Sequence, residues 1–157
     1  MGAPTELLDD LDPILIQVTV PLPASLLFSA FLEPAHLKEW LGANARIEPK
    51  LGGSYELAFG GETPFESRGR ITHFTADLEV GFTWQGPPAF ADLLNGEPPA
   101  TSVYVRLQDS PEGIDVTLEH VGWKSGDAWE EARSWHFHLW DDALHRMKEY
   151  ILKVAYG

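Results

Sequence analysis

The sequence has no cysteine and few basic residues, and these two absences exclude several classes of protein. Without cysteine there is no disulfide, no thiolate nucleophile and no cysteine-ligated metal. Only 11 Lys and Arg residues stand against 24 Asp and Glu residues, which gives a formal net charge of −13. Because nucleic acids and anionic membranes bind clustered basic side chains, we expect neither of them as a partner.

Long apolar runs are also missing. No stretch approaches the ~20 apolar residues of a membrane span, and the acidic residues 1–12 do not resemble a signal peptide. We therefore expect a cytoplasmic protein with an N-terminal arm at 1–12 and one domain over 13–157.

Proline and glycine are absent from Asp127 to Val154, and all 12 prolines lie before this stretch. This absence predicts one C-terminal helix of about 28 residues. Eight of its residues recur at helical spacing and predict one buried stripe. They are Trp129, Arg133, His136, Trp140, Leu144, Met147, Ile151 and Val154. A stripe that mixes Trp with Arg and His is more polar than an ordinary core face, so it indicates a helix that closes one side of a pocket.

Alternating apolar residues before this helix predict a sheet of about seven strands. The strands are expected at 13–20, 43–49, 53–59, 65–75, 78–85, 101–108 and 113–120. Two short helices are expected at 23–32 and 34–41, directly after the first strand. Because short turns join most strands, the sheet is antiparallel, and the long helix is the element that can cover one of its faces.

Six short pieces of sequence carry a family resemblance. They are VTVPLPASLLFSAFLEPAHLKEWL at 18–41, LGGSY at 51–55, GRI at 69–71, FTW at 82–84, TLEHVGW at 117–123, and Trp140 followed by Leu144. In this order they resemble the START-like helix-grip superfamily, also called SRPBCC. Within it they resemble the branch of homologues of the activator of heat-shock protein 90 ATPase.

The resemblance covers nearly the whole chain and implies a fold class. This is the α+β helix-grip fold, in which a curved antiparallel sheet wraps around a long C-terminal helix. Such families are generally small-molecule or lipid binders, so the resemblance implies an apolar ligand held between sheet and helix. It transfers no catalytic motif, so no catalytic residue, cofactor or metal is predicted. Two alternatives remain open. One is a chaperone-binding module of the stress response, as the family name implies, and the other is an enzyme such as a cyclase, dehydratase or hydrolase built on the same cavity.

Polar and aromatic side chains predict the wall of this cavity. By strand parity, Tyr55, His73 and His120 share the face that carries Leu57. From the helix, Arg133 and His136 project towards the same space. Together with the tryptophans, the predicted ligand-binding residues are Tyr55, His73, Trp84, His120, Trp129, Arg133, His136 and Trp140. Each also has a structural alternative, as a core ring or as a partner of the main chain.

The connection 86–100 is unusually long for a link between two strands, and such loops are often functional. Phe90, Leu93 and Leu94 lie between paired prolines and predict one apolar face of a helical turn. We expect this face to be a lid over the cavity, with a subunit contact in a homodimer as the alternative.

Two further patterns favour structural roles. His138, Asp141, Asp142 and His145 share a helix face at metal-ligand spacing, but that face is expected in solvent, so no metal site is predicted. Gly52 and Gly53 predict a tight hairpin, and Gly69 predicts a bulge or a close approach of the final helix.

Overall fold

Seven antiparallel strands form one sheet in the order β1-β7-β6-β5-β4-β3-β2. A computed structural model describes residues 11–157. The strands are β1 (Ile14–Val20), β2 (Ala43–Ile47), β3 (Ser54–Phe59), β4 (Phe65–Thr75), β5 (Glu79–Trp84), β6 (Thr101–Ser110) and β7 (Gly113–Val121). The helices are α1 (Ala24–Ala30), α2 (Pro34–Trp40), α3 (Ala91–Leu94) and α4 (Asp127–Tyr156), and a short 3-10 turn, Pro88–Phe90, precedes α3.

The concave face of the sheet packs against α4 and forms the core. In β1 every second residue, from Ile14 to Val20, is buried, and β7 repeats this alternation. Period-two burial of this kind requires one face of the sheet to be covered. α1 and α2 pack together through the Trp40 indole N–H, which donates to the Ala30 carbonyl at 2.9 Å. The predicted α+β helix-grip architecture is confirmed.

Helix α4 begins at Asp127, as predicted, and its 30 residues end two positions beyond the expected Val154. Of the predicted stripe, His136, Trp140, Leu144, Met147 and Ile151 are at most 2% exposed. Val154 is 48% exposed, so its assignment to the buried face is wrong. It lies in the last turn, where residues 153–157 are all exposed and no longer contact the core.

Two residues predicted on the inner face of the sheet point elsewhere. A bulge between Ile71 and His73 shifts the register of β4 against β5. Because one inserted residue turns the following side chains to the opposite face, His73 lies exposed on the outer surface, with its ring 5.1 Å from that of Tyr104. The apolar alternation of Leu78, Val80, Phe82 and Trp84 predicts that these residues share the inner face. Leu78 instead precedes β5 and is 56% exposed, so its predicted place on that face is wrong.

Hydrogen bonds from side chains join residues 67–70 of β4 to residues 83–85 at the end of β5. The Arg68 N–H donates to Gln85 Oε1 at 3.0 Å, and the Arg70 N–H donates to Thr83 Oγ1 at 3.0 Å. The Gln85 N–H donates to Ser67 Oγ at 2.9 Å. The register between the two backbones starts only at Ile71 paired with Phe82. Next to residues 83–85, β4 is therefore joined to β5 by these side-chain bonds in place of the register that begins at Ile71.

The predicted N-terminal arm, 1–12, lies outside the described residues except for its last two. Leu11 donates its N–H to the Trp123 carbonyl at 3.0 Å, which attaches the start of the described chain to the end of β7. No helix between residues 11 and 157 combines the length and apolar character needed to cross a membrane.

Candidate functional site

Four of the predicted wall residues meet in one buried group, which we call the histidine–tryptophan cluster. It contains Trp84 of β5, His120 of β7, and His136 and Trp140 of α4, and Thr101 of β6 completes it. All five side chains are at most 2% exposed. The ring of Trp84 lies between 5.1 and 5.8 Å from those of Trp140, His120 and His136. The sheet and the helix therefore meet through these rings.

Hydrogen bonds fix the proton positions in both histidines. The Trp84 indole N–H donates to His136 Nε2 at 3.0 Å, and His136 Nδ1 lies 2.7 Å from the Ala132 carbonyl oxygen. Indole only donates and a carbonyl only accepts, so His136 carries its proton on Nδ1. Trp140 donates to His120 Nδ1 at 3.0 Å, so His120 carries its proton on Nε2 and donates it to Thr101 Oγ1 at 2.9 Å.

Both histidines are held neutral by their surroundings. Burial lowers the pKa of His136 from 6.5 to about 4, against the opposing effect of the Ala132 carbonyl. Burial, followed by the proximity of His136, lowers the pKa of His120 well below 6.5. Each ring nitrogen already has a partner, so neither ring offers a free lone pair to accept a proton from a substrate. In this arrangement the cluster is a neutral, fully hydrogen-bonded wall.

Tyr55, the fifth predicted wall residue on the inner face, is buried against Phe82 of β5. Its hydroxyl donates to the Phe31 carbonyl at 2.5 Å, and its ring stacks on Phe82 at 3.8 Å. Burial raises the pKa of Tyr55 far above its ordinary value, so the hydroxyl stays protonated. Its contacts link the sheet to the end of α1.

Arg133 and Trp129 do not join the cluster. The Arg133 guanidinium donates from Nε to the Asp12 carbonyl at 2.7 Å and from Nη2 to the Pro13 carbonyl at 3.2 Å. The prediction that Arg133 projects into the interior is wrong, because the first turns of α4 face the chain entering β1. Trp129 is half-buried, and its ring lies 6.4 Å from that of Trp123.

A second group of rings, the aromatic rim, lies between the cluster and the surface. It consists of Phe59, Phe65, Phe90 and Trp135. Phe59 and Phe65 stack at 4.5 Å, and Phe65 lies 6.3 Å from Trp84 and 6.0 Å from Trp135. A surface depression of about 550 Å³ runs beside Phe59 and Phe65, and Glu66, Arg68 and Gln85 line its polar side.

The 86–100 loop supplies Phe90 to the aromatic rim and packs against Trp135 and His136. Phe90 is 8% exposed, Leu94 is fully buried and Leu93 is half-buried, so the predicted apolar face exists and rests on the protein. The Phe90 ring lies 6.0 Å from those of Trp135 and His136. The Asn95 side chain bonds both main-chain groups of Gly86, accepting its N–H at 2.8 Å and donating to its carbonyl at 2.9 Å.

Sequence reasoning missed Thr101, Phe65 and Trp135. Trp135 falls outside the predicted stripe, but with Ala132 and Leu139 it forms an adjacent row at i, i+3 and i+7, which widens the covered face of α4. The spacing of this second row is visible in the sequence and could have predicted that Trp135 lies on the covered face of α4. Phe65 begins a strand directly after Pro64, and nothing local marks it as a neighbour of Trp84.

The predicted surface residues of α4 do not form a metal site. Within the described residues, no group of three His, Asp or Glu side chains is placed to hold a metal ion. The His145 ring nitrogen Nδ1 instead lies 2.7 Å from the Asp141 carbonyl oxygen of its own helix.

Comparison with known proteins identifies relatives of this fold. The chain superposes on MLL2253 from Mesorhizobium loti with a TM-score of 0.72 and 16% identity, covering 90% of this chain and 96% of that one. BH1534 from Bacillus halodurans gives 0.71 and 18%, covering 91% and 99%. DynU16, a protein from the dynemicin biosynthetic locus, gives 0.64 and 16%, covering 89% of this chain and 47% of DynU16. No curated protein sequence matches.

These structural likenesses establish the fold alone. The sequence match is more specific, because a family profile covers the chain from the end of β1 to the last turns of α4, residues 21–151. The chain belongs to the family of Activator of Hsp90 ATPase homolog 1-like proteins.

Proposed function

We propose that the protein binds a small, largely apolar molecule between its sheet and α4, entering at the aromatic rim. The observation that carries this proposal is a chain of ring contacts beside an open depression. Phe59 and Phe65 contact Trp84, and Trp135 contacts Phe65 and Phe90. Phe59, Phe65 and Trp135 are only half-buried. Partly exposed rings around a concavity, with a few polar groups at its edge, are typical of ligand sites.

The hydrogen-bonded cluster behind the rim favours binding over catalysis. Trp84 donates a hydrogen bond to His136, and both ring nitrogens of His120 are hydrogen-bonded. Such a wall supplies shape and weak polarity, and the rings of the rim supply apolar contact area.

Tryptophan emission tests the proposal directly, because Trp84 and Trp135 contact the rings that line the depression. Neutral aromatic probes should quench or shift the emission, with a dissociation constant on the order of micromolar. Phe65→Ala should weaken that binding at least about fivefold, since Phe65 is a half-buried ring of the site. Leu51→Ala is the matched control, because Leu51 is apolar, 67% exposed and absent from the lining of the depression. Unchanged emission with every probe, or equal affinities for both variants and the parent, would refute the proposal.

Contact with a heat-shock chaperone is a second candidate, and the family description favours it. We expect at most marginal stimulation of the ATPase rate of a cognate chaperone by this acidic protein. A several-fold stimulation at equimolar protein would support the chaperone function in place of ligand binding.

A further inference from the structure

We propose that the ligand is an uncharged ring compound and that it enters the site by displacing Leu94 from beside His136. This inference rests on the proposed function and adds the charge class of the ligand and the residue that excludes it. Three observations lead to it: the absence of buried charge in the described core, the position of Leu94, and the attachment of the 86–100 loop.

The described core offers no charged partner to a ligand. Among residues 11–157, the buried polar side chains are those of Ser67, Thr101, His120 and His136. Ser67 and Thr101 are hydroxyls, and both histidines are neutral with their nitrogens occupied. Moving a carboxylate or an ammonium group into such surroundings is strongly unfavourable unless a counter-charge meets it. A ligand that reaches the cluster is therefore neutral.

Leu94 occupies the position next to the cluster that such a ligand would take. A Cβ added at Gly86 would lie 2.6 Å from Leu94 Cδ1 and 3.3 Å from His136 Nε2. The Leu94 side chain and the His136 ring therefore both lie next to the bare backbone of Gly86. Leu94 itself is fully buried, and the Phe90 ring lies 6.0 Å from that of His136. We infer that a ligand that reaches His136 from the side of Gly86 takes the place of the Leu94 side chain.

The 86–100 loop can move Leu94 without breaking the sheet. Leu94 lies in a four-residue helix outside every strand, and the Leu94 carbonyl accepts the Ala100 N–H at 3.0 Å. The two bonds between Asn95 and Gly86 hold the base of the loop. Displacement therefore requires the loss of a few local contacts, while β5 and β6 stay paired.

Three naphthalene probes of equal ring size test the charge class: neutral 2-naphthol, anionic 2-naphthoate and cationic 2-naphthylmethylammonium. Binding is followed by tryptophan emission near neutral pH in about 0.3 M NaCl, where surface charges are largely screened. We expect 2-naphthol to bind at least about tenfold more tightly than either ion. Weak binding of the ions could come from repulsion by the surface or from the uncharged core. The cation separates these two causes, because the net charge of −13 attracts it, so weak binding of the cation is explained by the core. Tight binding of either ion would overturn the neutral-ligand inference.

Variants of the loop test the role of Leu94. Leu94→Ala should bind 2-naphthol about tenfold more tightly than the parent, because no side chain has to be displaced. Leu51→Ala, an exposed leucine outside the 86–100 loop, should bind as the parent does. Leu94→Val is a milder change for the case in which Leu94→Ala fails to fold, and it should bind more tightly by a smaller factor.

The outcomes separate this inference from the proposed function. If the parent binds 2-naphthol and the Leu94 variants bind it equally well, Leu94 is not displaced, and the proposed binding at the rim stands. If neither the parent nor the folded Leu94 variants bind any neutral ring probe, the proposed function fails as well. A shift of the Trp84 indole N–H resonance in the parent on addition of 2-naphthol is expected, and its absence during saturable binding would place the ligand away from His136.

Discussion

At the scale of single residues, the main finding is that the buried histidines and tryptophans predicted to bind a ligand are hydrogen-bonded to one another. His120 and His136 are the only two histidines among the buried residues described in the core, and their bonds to Trp140 and Trp84 tie β7 and β5 to α4. A histidine that must remain neutral makes stability depend on pH.

The sign of that dependence follows from the lowered pKa of His136. Below 6.5 the unfolded chain binds a proton at this residue, whereas the folded chain does not until about pH 4. The contribution of the neutral His136 to the free energy of unfolding is therefore complete above about pH 6.5. It falls between there and about pH 4, by up to about 1.4 kcal/mol per pH unit. Urea unfolding at stepped pH should show a smaller fall for His136→Gln than for His138→Gln, an exposed control on the same helix. If the free energy of unfolding falls equally with pH in the two variants, His136 is not the cause of the loss of stability at low pH.

The Tyr55 hydroxyl provides a second prediction at this scale. Tyr55→Phe keeps the ring stacked on Phe82 but leaves the buried Phe31 carbonyl without its donor, which should cost about 1–3 kcal/mol. Tyr104→Phe is the control, because Tyr104 lies half-buried on the outer face, and its loss should stay within about 0.5 kcal/mol. Equilibrium unfolding in urea measures both. A Tyr55→Phe variant as stable as the parent would mean that a water molecule donates to the Phe31 carbonyl in place of the tyrosine.

At the scale of helices and strands, regular segments were predictable and departures from regularity were not. The alternation of β1 and β7 and the start of α4 at Asp127 follow from local periodicity and the absence of Pro and Gly. The bulge before His73 does not, because an inserted residue is defined by the partner strand, which the sequence of β4 alone does not reveal.

The candidate site was predictable only in part for the same reason. Trp84, His120, His136 and Trp140 followed from face and spacing, whereas Phe65 and Thr101 joined them through strand order. The two bonds between Asn95 and Gly86 span nine residues of irregular chain, which no periodicity describes.

Gly69 illustrates how an irregular element constrains a residue. It was expected to mark a bulge or the approach of the final helix, but it lies against the main chains of β5 and β3. An added Cβ would lie 2.2 Å from the Thr83 carbonyl oxygen and 3.0 Å from the Tyr55 carbonyl oxygen. Gly69→Ala should therefore force β4 and β5 apart and destabilise the protein by about 1–3 kcal/mol or more. Gly60→Ala, where a Cβ would meet nothing within 4 Å, is the control. Urea midpoints that agree for the two variants would show that the strands adjust without cost.

At the scale of the whole molecule, the excess of negative charge is the dominant electrostatic feature. With 24 acidic and 11 basic residues, the folded chain concentrates like charges that the unfolded chain spreads apart. Attractive pairs oppose this effect, notably Arg106, which lies 2.6 Å from a Glu79 oxygen and 2.9 Å from a Glu119 oxygen. Arg106 and its partners are partly exposed, so each pair contributes little.

The competition between repulsion and pairing sets the response to salt. Sodium chloride screens both, and because the net charge is −13, relief of repulsion should outweigh the loss of the pairs at pH 7.5. We expect the melting temperature to rise by a few degrees as NaCl increases from about 20 to about 300 mM. Near the isoelectric point of about 4.7 the repulsion is largely gone, so the same addition should leave the melting temperature unchanged or lower it. Calorimetry at the two pH values measures the difference, and a fall in the melting temperature with salt at pH 7.5 would show that ion pairs such as those of Arg106 outweigh the net charge.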